Sequence, residues 1–267
     1  MAQTFHHLLI IGCGNMGGAM LAGWLAAGEP PARFSVLDPA LPNAPEGVAL
    51  HREAAEVPGT HDAVLLGFKP QQLGALGPGL QELTEGRTVC SLLAGITLAQ
   101  LAAAFPGGAA HIRVMPNLAA RINKSPVILA ERGLGDDARG AAFALFDALG
   151  SAVWLKDEAQ LDLVTALAGS GPGFVYRFID ALAGAAADLG LDAPTAARLA
   201  LATVEGAAAL AAASDAPPAT LADRVASPGG MTREGLNVLD ENDALRRLLA
   251  ATLAATRDKG AALSQGG

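Results

Sequence analysis

The first chemistry in the chain is carried by backbone rather than by side chains. Gly12-Cys13-Gly14-Asn15-Met16-Gly17 puts glycine at all three fixed positions of GxGxxG, directly after the apolar run Leu8 to Ile11 and before residues of helical spacing. In such a turn the first glycine allows a tight bend and the second lets backbone approach a pyrophosphate. The third lets helix and strand pack closely, with the helix N–H groups aimed at the phosphates. Gly12, Cys13, Gly14, Asn15, Met16 and Gly17 are therefore candidate dinucleotide-binding residues; a bare turn joining strand to helix is the alternative. Asp38 ends the second strand at about the spacing where an acid accepts hydrogen bonds from the adenosine ribose. That leans the cofactor toward NADH over NADPH, because an acid there repels a 2′-phosphate. Arg33 and Arg52 keep a phosphate-binding arginine open, and a plain turn before Pro39 would also use an aspartate.

Further along, Phe68-Lys69-Pro70 places a cation after the strand Ala63 to Phe68, on the edge where open α/β sheets bind ligands. Phe68, Lys69 and Pro70 join the candidate cofactor residues, although a solvated lysine before a helix begun by Pro70 fits the same letters. Asn117, after Met115-Pro116, has an amide suited to the nicotinamide or the substrate. The glycine-rich turn Ser227 to Thr232 opens a helix, so its backbone N–H groups suit a carboxylate while the Thr232 hydroxyl shares the same space. That pairing fits a small amino or imino acid; a capping loop is the alternative. Ala168-Gly169-Ser170-Gly171-Pro172 is similarly poised before a long helix and lacks the outer glycines of a GxSxG nucleophile elbow.

Other chemistries find little support. The five histidines show no HExxH spacing, no Cys/His cluster has zinc spacing, and no metal site is expected. Asp136-Asp137 and Asp240-Glu241 read as helix starts rather than acid/base pairs. With 18 basic and 26 acidic residues the net charge is −8, which disfavours nucleic acid or an anionic membrane as partner. Arg177, Asp180, Asp188 and Glu205 interrupt the most apolar stretches, so no membrane span is expected. The first residues lack the pattern of an export signal, and Cys13 and Cys90 read as reduced thiols, so a cytoplasmic location is expected.

These residues need a scaffold of a particular kind. The 267 residues are 51% hydrophobic, 16% charged and 4% aromatic, which excludes a disordered chain. Up to about Leu155, short apolar runs alternate with helical segments, the pattern of βαβ units on a parallel sheet. Strands are expected at Leu8 to Ile11, Arg33 to Leu37, Ala63 to Phe68, Thr88 to Leu92, His111 to Met115, Val127 to Ala130 and Ala152 to Leu155. After about Asp157 the alternation stops, and alanine-rich stretches such as Pro172 to Leu189 and Ala193 to Ala213 read as packed helices, a bundle or a subunit interface. The expectation is an α/β protein with an N-terminal doubly wound Rossmann-like domain, residues 1–157, and a C-terminal all-α domain, residues 158–267.

Taken together, IGCGNMGGAM, FKP, RVMPN, ALAGSGPGFVYRFIDALA and ASPGGMTREGL, in this order and spacing, resemble the pyrroline-5-carboxylate reductases of proline biosynthesis over almost the whole chain. The resemblance implies a cofactor domain followed by a helical dimerisation domain, a homodimer that in some members forms larger rings, and an active site built by both subunits. It implies that Gly12 to Gly17 hold the pyrophosphate of NADH or NADPH, and that Phe68 to Pro70 and Asn117 lie along the cofactor. Gly230, Met231 and Thr232 then hold the carboxylate and ring of the imino acid substrate, with Thr232 contributing the contacting hydroxyl; Gly229 and Ser170, in the two glycine-rich turns, are further candidate substrate-binding residues. Leu118, Met231 and Ala54 depart from the family pattern. A β-hydroxyacid dehydrogenase would carry a lysine on the first long helix, and none occurs between Pro172 and Leu189; a non-catalytic dinucleotide-sensing or scaffold protein is a further alternative.

Overall fold

The computed structural model describes residues 5–265. They fall into two units, residues 5–169 with 256–265, and Ser170–Ala255.

The first unit is built on eight strands: β1 Leu8–Ile11, β2 Phe34–Leu37, β3 Ala49–His51, β4 Ala63–Leu66, β5 Thr88–Ser91, β6 Ala110–Met115, β7 Ser125–Arg132 and β8 Gly150–Trp154. Their order across the sheet is β3-β2-β1-β4-β5-β6-β7-β8. The chain winds outward from β1 to β3, returns to β4 on the other side of β1, and winds outward again, so the order reverses between β1 and β4. Strands β1, β2, β4 and β5 are buried throughout, as apolar runs covered on both faces must be.

Two elements differ from the sequence expectation. Strand β3 was not foreseen, because Ala49-Leu50-His51 is short, carries no apolar run and forms an edge, pairing Val36 with Leu50 in parallel. The sheet is also not wholly parallel, since β6 and β7 run antiparallel with Arg113 opposite Ala130. The connection between them holds only a 3-10 helix, Leu118–Ile122, and is too short for the crossover that parallel strands need.

Alternation along the strands sends side chains to two faces. Leu8 and Ile10 join Trp24, Phe34 and Phe146 in one cluster, while Leu9 and Ile11 join Val64, Leu66, Leu101 and Phe105 in the other. Trp24 stacks on Phe34 with ring centroids 5.3 Å apart, and its Nε1 donates to the Leu145 carbonyl at 2.7 Å. Burying each such large side chain contributes about 1.5–3 kcal/mol. The first helix, Asn15–Ala26, crosses the 3-10 helix so closely that a Cβ on Gly23 would stand 2.0 Å from the Ala120 carbonyl oxygen. Asn123, in the left-handed region at φ 55°, fastens the same crossing by donating to the carbonyls of Gly23 and Ala148.

Three histidines are bound into this unit. The rings of His61 and His111 lie within hydrogen-bond distance of the Leu83 and Phe105 carbonyls, and His7 Nε2 lies 3.1 Å from Ser35 Oγ. Burial pushes the pKa of all three below the ordinary histidine value. As pH falls through that ordinary value, about 6.5, the unfolded chain takes up protons that the folded chain still refuses, so stability drops toward the depressed folded values. Urea midpoints should therefore fall between pH 7.5 and pH 5; a constant midpoint would contradict this assignment.

The second unit consists of helices Gly171–Asp188, Ala193–Ala212, Pro218–Val225, Met231–Asp240 and the first part of Ala244–Gln265. Its buried residues, among those described, are Ala196, Ala200 and Ala226. Phe178, Leu199, Leu201, Leu210 and Leu248 are all at least half exposed. Among the described residues one helix, Ala193–Ala212, with Arg198 and Glu205 as its only charges, is long and apolar enough to cross a membrane by length and composition, a test that helices of non-membrane proteins also pass.

Candidate active site

The order reversal between β1 and β4 places two turns side by side at the carboxyl edge of the sheet, where open α/β folds take ligands. The first is the glycine turn. Gly12 adopts φ 85°, in the region that favours glycine, and donates its N–H to the Leu37 carbonyl at 3.0 Å. A Cβ on Gly17 would meet the Gly12 oxygen at 2.7 Å, so this glycine is required by helix packing. A Cβ on Gly14 would meet nothing within 4 Å. It would fill open space beside the helix start, the space a pyrophosphate needs.

The first bond of the helix runs from Gly18 N–H to the Gly14 carbonyl at 2.8 Å, and Gly14 offers no side-chain cap. The N–H groups of Asn15, Met16 and Gly17 thus have no partner within the helix and form the positive end of its dipole. This is an anion-binding cradle made of backbone, and it fits a dinucleotide pyrophosphate. Cys13 is buried within the turn, where burial and the neighbouring Asp38 push its thiol up to about 11. Cys90, wholly buried in β5, is pushed up further. Both remain neutral thiols, inert as nucleophiles or metal ligands. No group of His, Cys, Asp and Glu suited to a metal occurs among the described residues.

The second turn follows β4. Gly67 donates to the Ile11 carbonyl at 2.8 Å, and a Cβ on it would stand 2.3 Å from the Gly12 oxygen. Gly67 thus sets how closely the two turns approach, a role no sequence motif marks. Phe68 is half buried against the second core cluster. Lys69 is exposed, its N–H bonded to Gln72 Oε1 at 3.1 Å, and Pro70 starts a 3-10 helix.

Asp38 closes β2 beside the glycine turn. Its carboxylate accepts backbone N–H groups from Cys13, Ala40 and Leu41. Asn117 is buried at the end of β6, and its amide is engaged with backbone. Oδ1 caps the 3-10 helix at Ala119 N–H, and Nδ2 donates to the Ala168 carbonyl at 2.9 Å. Ala168 lies in a π-helical turn, Thr165–Gly169, an irregularity that sequence spacing did not reveal and that often marks functional sites. Nearby, Glu158 Oε1 receives both the Arg113 guanidinium and the Leu98 N–H at 2.7 Å, joining β6 to the start of helix Leu98–Ala104.

Ser170 and the other substrate candidates belong to the second unit. Ser170 precedes the helix Gly171–Asp188, and its carbonyl accepts the Gly173 N–H at 2.9 Å. In the turn Ser227 to Gly230, Gly229 has φ 71° and Gly230 N–H closes onto the Ser227 carbonyl at 2.9 Å. A Cβ on Gly230 would stand 2.6 Å from Ser227 Oγ. The carbonyl of Gly230 receives the N–H groups of Arg233 and Glu234, which leaves those of Met231 and Thr232 without a helical acceptor. Met231 and Thr232 are exposed at this helix start, Met231 almost completely. Arg233, not singled out by sequence, anchors the turn through Asp223 at 2.8 Å and the Ala226 carbonyl. Two backbone N–H groups without a helical acceptor therefore stand at an exposed helix start that also carries the Thr232 hydroxyl.

Residues 158–263 match the family model for pyrroline-5-carboxylate reductase dimerisation, and residues 7–95 match the model described as NADP oxidoreductase, coenzyme F420-dependent. A pyrroline-5-carboxylate reductase of Methanosarcina acetivorans is 35% identical over 86% of this chain and 88% of its own. One from Pseudomonas aeruginosa is 33% identical over 97% of both chains. The solved structure of a pyrroline-5-carboxylate reductase from Coxiella burnetii superimposes with a TM-score of 0.89 at 28% identity, covering 96% of this chain and 98% of that one. Identity at this level across both units, and not the glycine turn alone, decides the matter: the chain belongs to the pyrroline-5-carboxylate reductase family.

Proposed function

We propose that this protein reduces the cyclic imine 1-pyrroline-5-carboxylate to L-proline at the expense of a reduced nicotinamide dinucleotide. The observation that carries the reading is a pair of backbone anion sites, the glycine turn in one unit and Gly229 to Thr232 in the other, in a chain of this family. When bound, the dinucleotide supplies the hydride that adds to the imine carbon, while the ring nitrogen takes a proton. Gly12 to Gly17 hold the pyrophosphate, and Phe68, Lys69, Pro70 and Asn117 flank the remainder. Asn117 acts by fixing the end of β6, since its own amide is engaged. Gly229, Gly230, Met231 and Ser170 hold the substrate, with its carboxylate on the free N–H groups of the helix start. Thr232 orients the imine nitrogen and delivers or relays its proton. Reduction of an imine needs alignment at about 3–3.5 Å and a donor at nitrogen, which backbone cradles and one hydroxyl can provide.

The carboxylate of Asp38, lying where the adenosine ribose falls, favours NADH over NADPH by charge. Residues 1–157 serve the cofactor, and residues 158–267 serve the substrate and the subunit contact. The second unit's nearly coreless helices favour a homodimer, because exposed apolar faces of this extent are covered by association in stable proteins. Two unpaired neutral thiols suit the cytoplasm.

Oxidation of NADH and NADPH followed at 340 nm with pyrroline-5-carboxylate and with its six-membered homologue tests reaction, cofactor and substrate together. Turnover of the five-membered imine with preference for NADH is expected. Bound NADH with no turnover of either imine would leave only a dinucleotide-sensing protein.

A further inference from the structure

Asp38 is connected more widely than a ribose acceptor needs to be. Its Oδ2 accepts the Cys13 N–H at 2.8 Å, in the middle of the glycine turn, while Oδ1 accepts the N–H groups of Ala40 at 2.8 Å and Leu41 at 3.2 Å. An ionised carboxylate offers about four lone-pair positions, so roughly one is left for a ribose hydroxyl. Segment 38–42 is held from its other side as well. The exposed guanidinium of Arg52, just past β3, donates to the carbonyls of Asp38 at 2.9 Å, Leu41, and Pro42 at 3.0 Å. One side chain thus gathers the segment's N–H groups and another its carbonyls, and the first also reaches the pyrophosphate turn.

We infer that Asp38 and Arg52 are positioning residues that together preset the adenosine-side segment 38–42 against the glycine turn, before any dinucleotide arrives. The inference rests on the reading that the glycine turn receives a dinucleotide. Fixing loop backbone opposes binding, so a segment fixed in advance binds more tightly whichever dinucleotide is offered. This differs from a specificity role. An acid acting through charge alone penalises only the 2′-phosphate, and an arginine receiving that phosphate assists only NADPH. A latch between the turns assists both.

Asparagine at 38 separates these roles. Its single amide oxygen can accept from Cys13 or from Ala40 and Leu41, whereas its NH2 would oppose an N–H. Asp38→Asn and Arg52→Gln are titrated in the full-length protein with NADH and with NADPH, without imine, by dinucleotide fluorescence. Asp38→Asn should weaken NADH at least about tenfold and weaken NADPH as well, the scale of losing a charge-assisted hydrogen bond. Arg52→Gln should weaken both about threefold with their ratio unchanged, a smaller effect because the guanidinium is exposed. NADPH binding that holds or improves in Asp38→Asn while NADH weakens leaves charge as the whole role and overturns the latch. If neither dinucleotide weakens, both the latch and the NADH assignment fail. Loss of NADPH alone in Arg52→Gln, or no loss, overturns the part assigned to Arg52. Should Asp38→Asn not fold, the Arg52 variant decides. Tight binding without imine turnover would refute the reductase reading and leave the latch standing.

Discussion

Alanine at position 67 is expected to lower kcat/KM about 100-fold, the scale seen when reacting groups shift by about an ångström. It should also destabilise the fold by about 1–3 kcal/mol, as overpacking does. The added carbon would lie 2.3 Å from the Gly12 oxygen, a backbone atom at the head of the glycine turn, so the β1 and β4 turns must separate. Alanine at position 14 is the control that divides the two effects. Its carbon enters open space, so stability should change by no more than about 0.5 kcal/mol while dinucleotide binding is lost with the room for the pyrophosphate. Thermal unfolding beside fluorescence titration of both variants reads this directly. Equal stability loss in the two, or undiminished binding in Gly14→Ala, would remove the cradle from the account.

Removing the Thr232 hydroxyl should lower kcat about 100-fold with a much smaller change in KM, the lower range for loss of a positioned proton donor. The side chain is exposed at the second position of helix Met231–Asp240, with no hydrogen-bonded role in the fold to lose. The melting temperature of Thr232→Ala should therefore match the parent, and Thr232→Ser should retain most of the turnover. Unaltered kinetics in the alanine variant would exclude the hydroxyl from proton delivery and leave the backbone N–H groups of this turn as its only contribution.

What could be foreseen from letters depended on whether a function sits in one stretch of chain. The glycine turn was legible because its bend, phosphate approach and helix start are consecutive, and the strands leading to it are apolar runs with no other use. Gly67 and Gly23 were not, because each is glycine on account of a carbonyl far away in sequence, Gly12 for the one and Ala120 for the other. Strand β3 escaped notice because an exposed edge needs no apolar run, and the reversal of β7 because direction follows the length of the connection and not the composition of the strand. Asp38 and Asn117 stand out in the sequence by chemical type, but that both bind backbone depends on partners that only the fold brings to them. The turn at Gly229 and Gly230 was readable as a loop, whereas its anchor Arg233 has a spacing that any surface helix permits.

The two neutral sulfhydryls make the molecule its own reporter. Both are buried, so the rate at which a maleimide labels wild-type protein should follow how often the backbone around each one opens. Cys13 would report breathing of the cofactor loop, slowed when dinucleotide is added, and Cys90 would report exposure of the sheet centre.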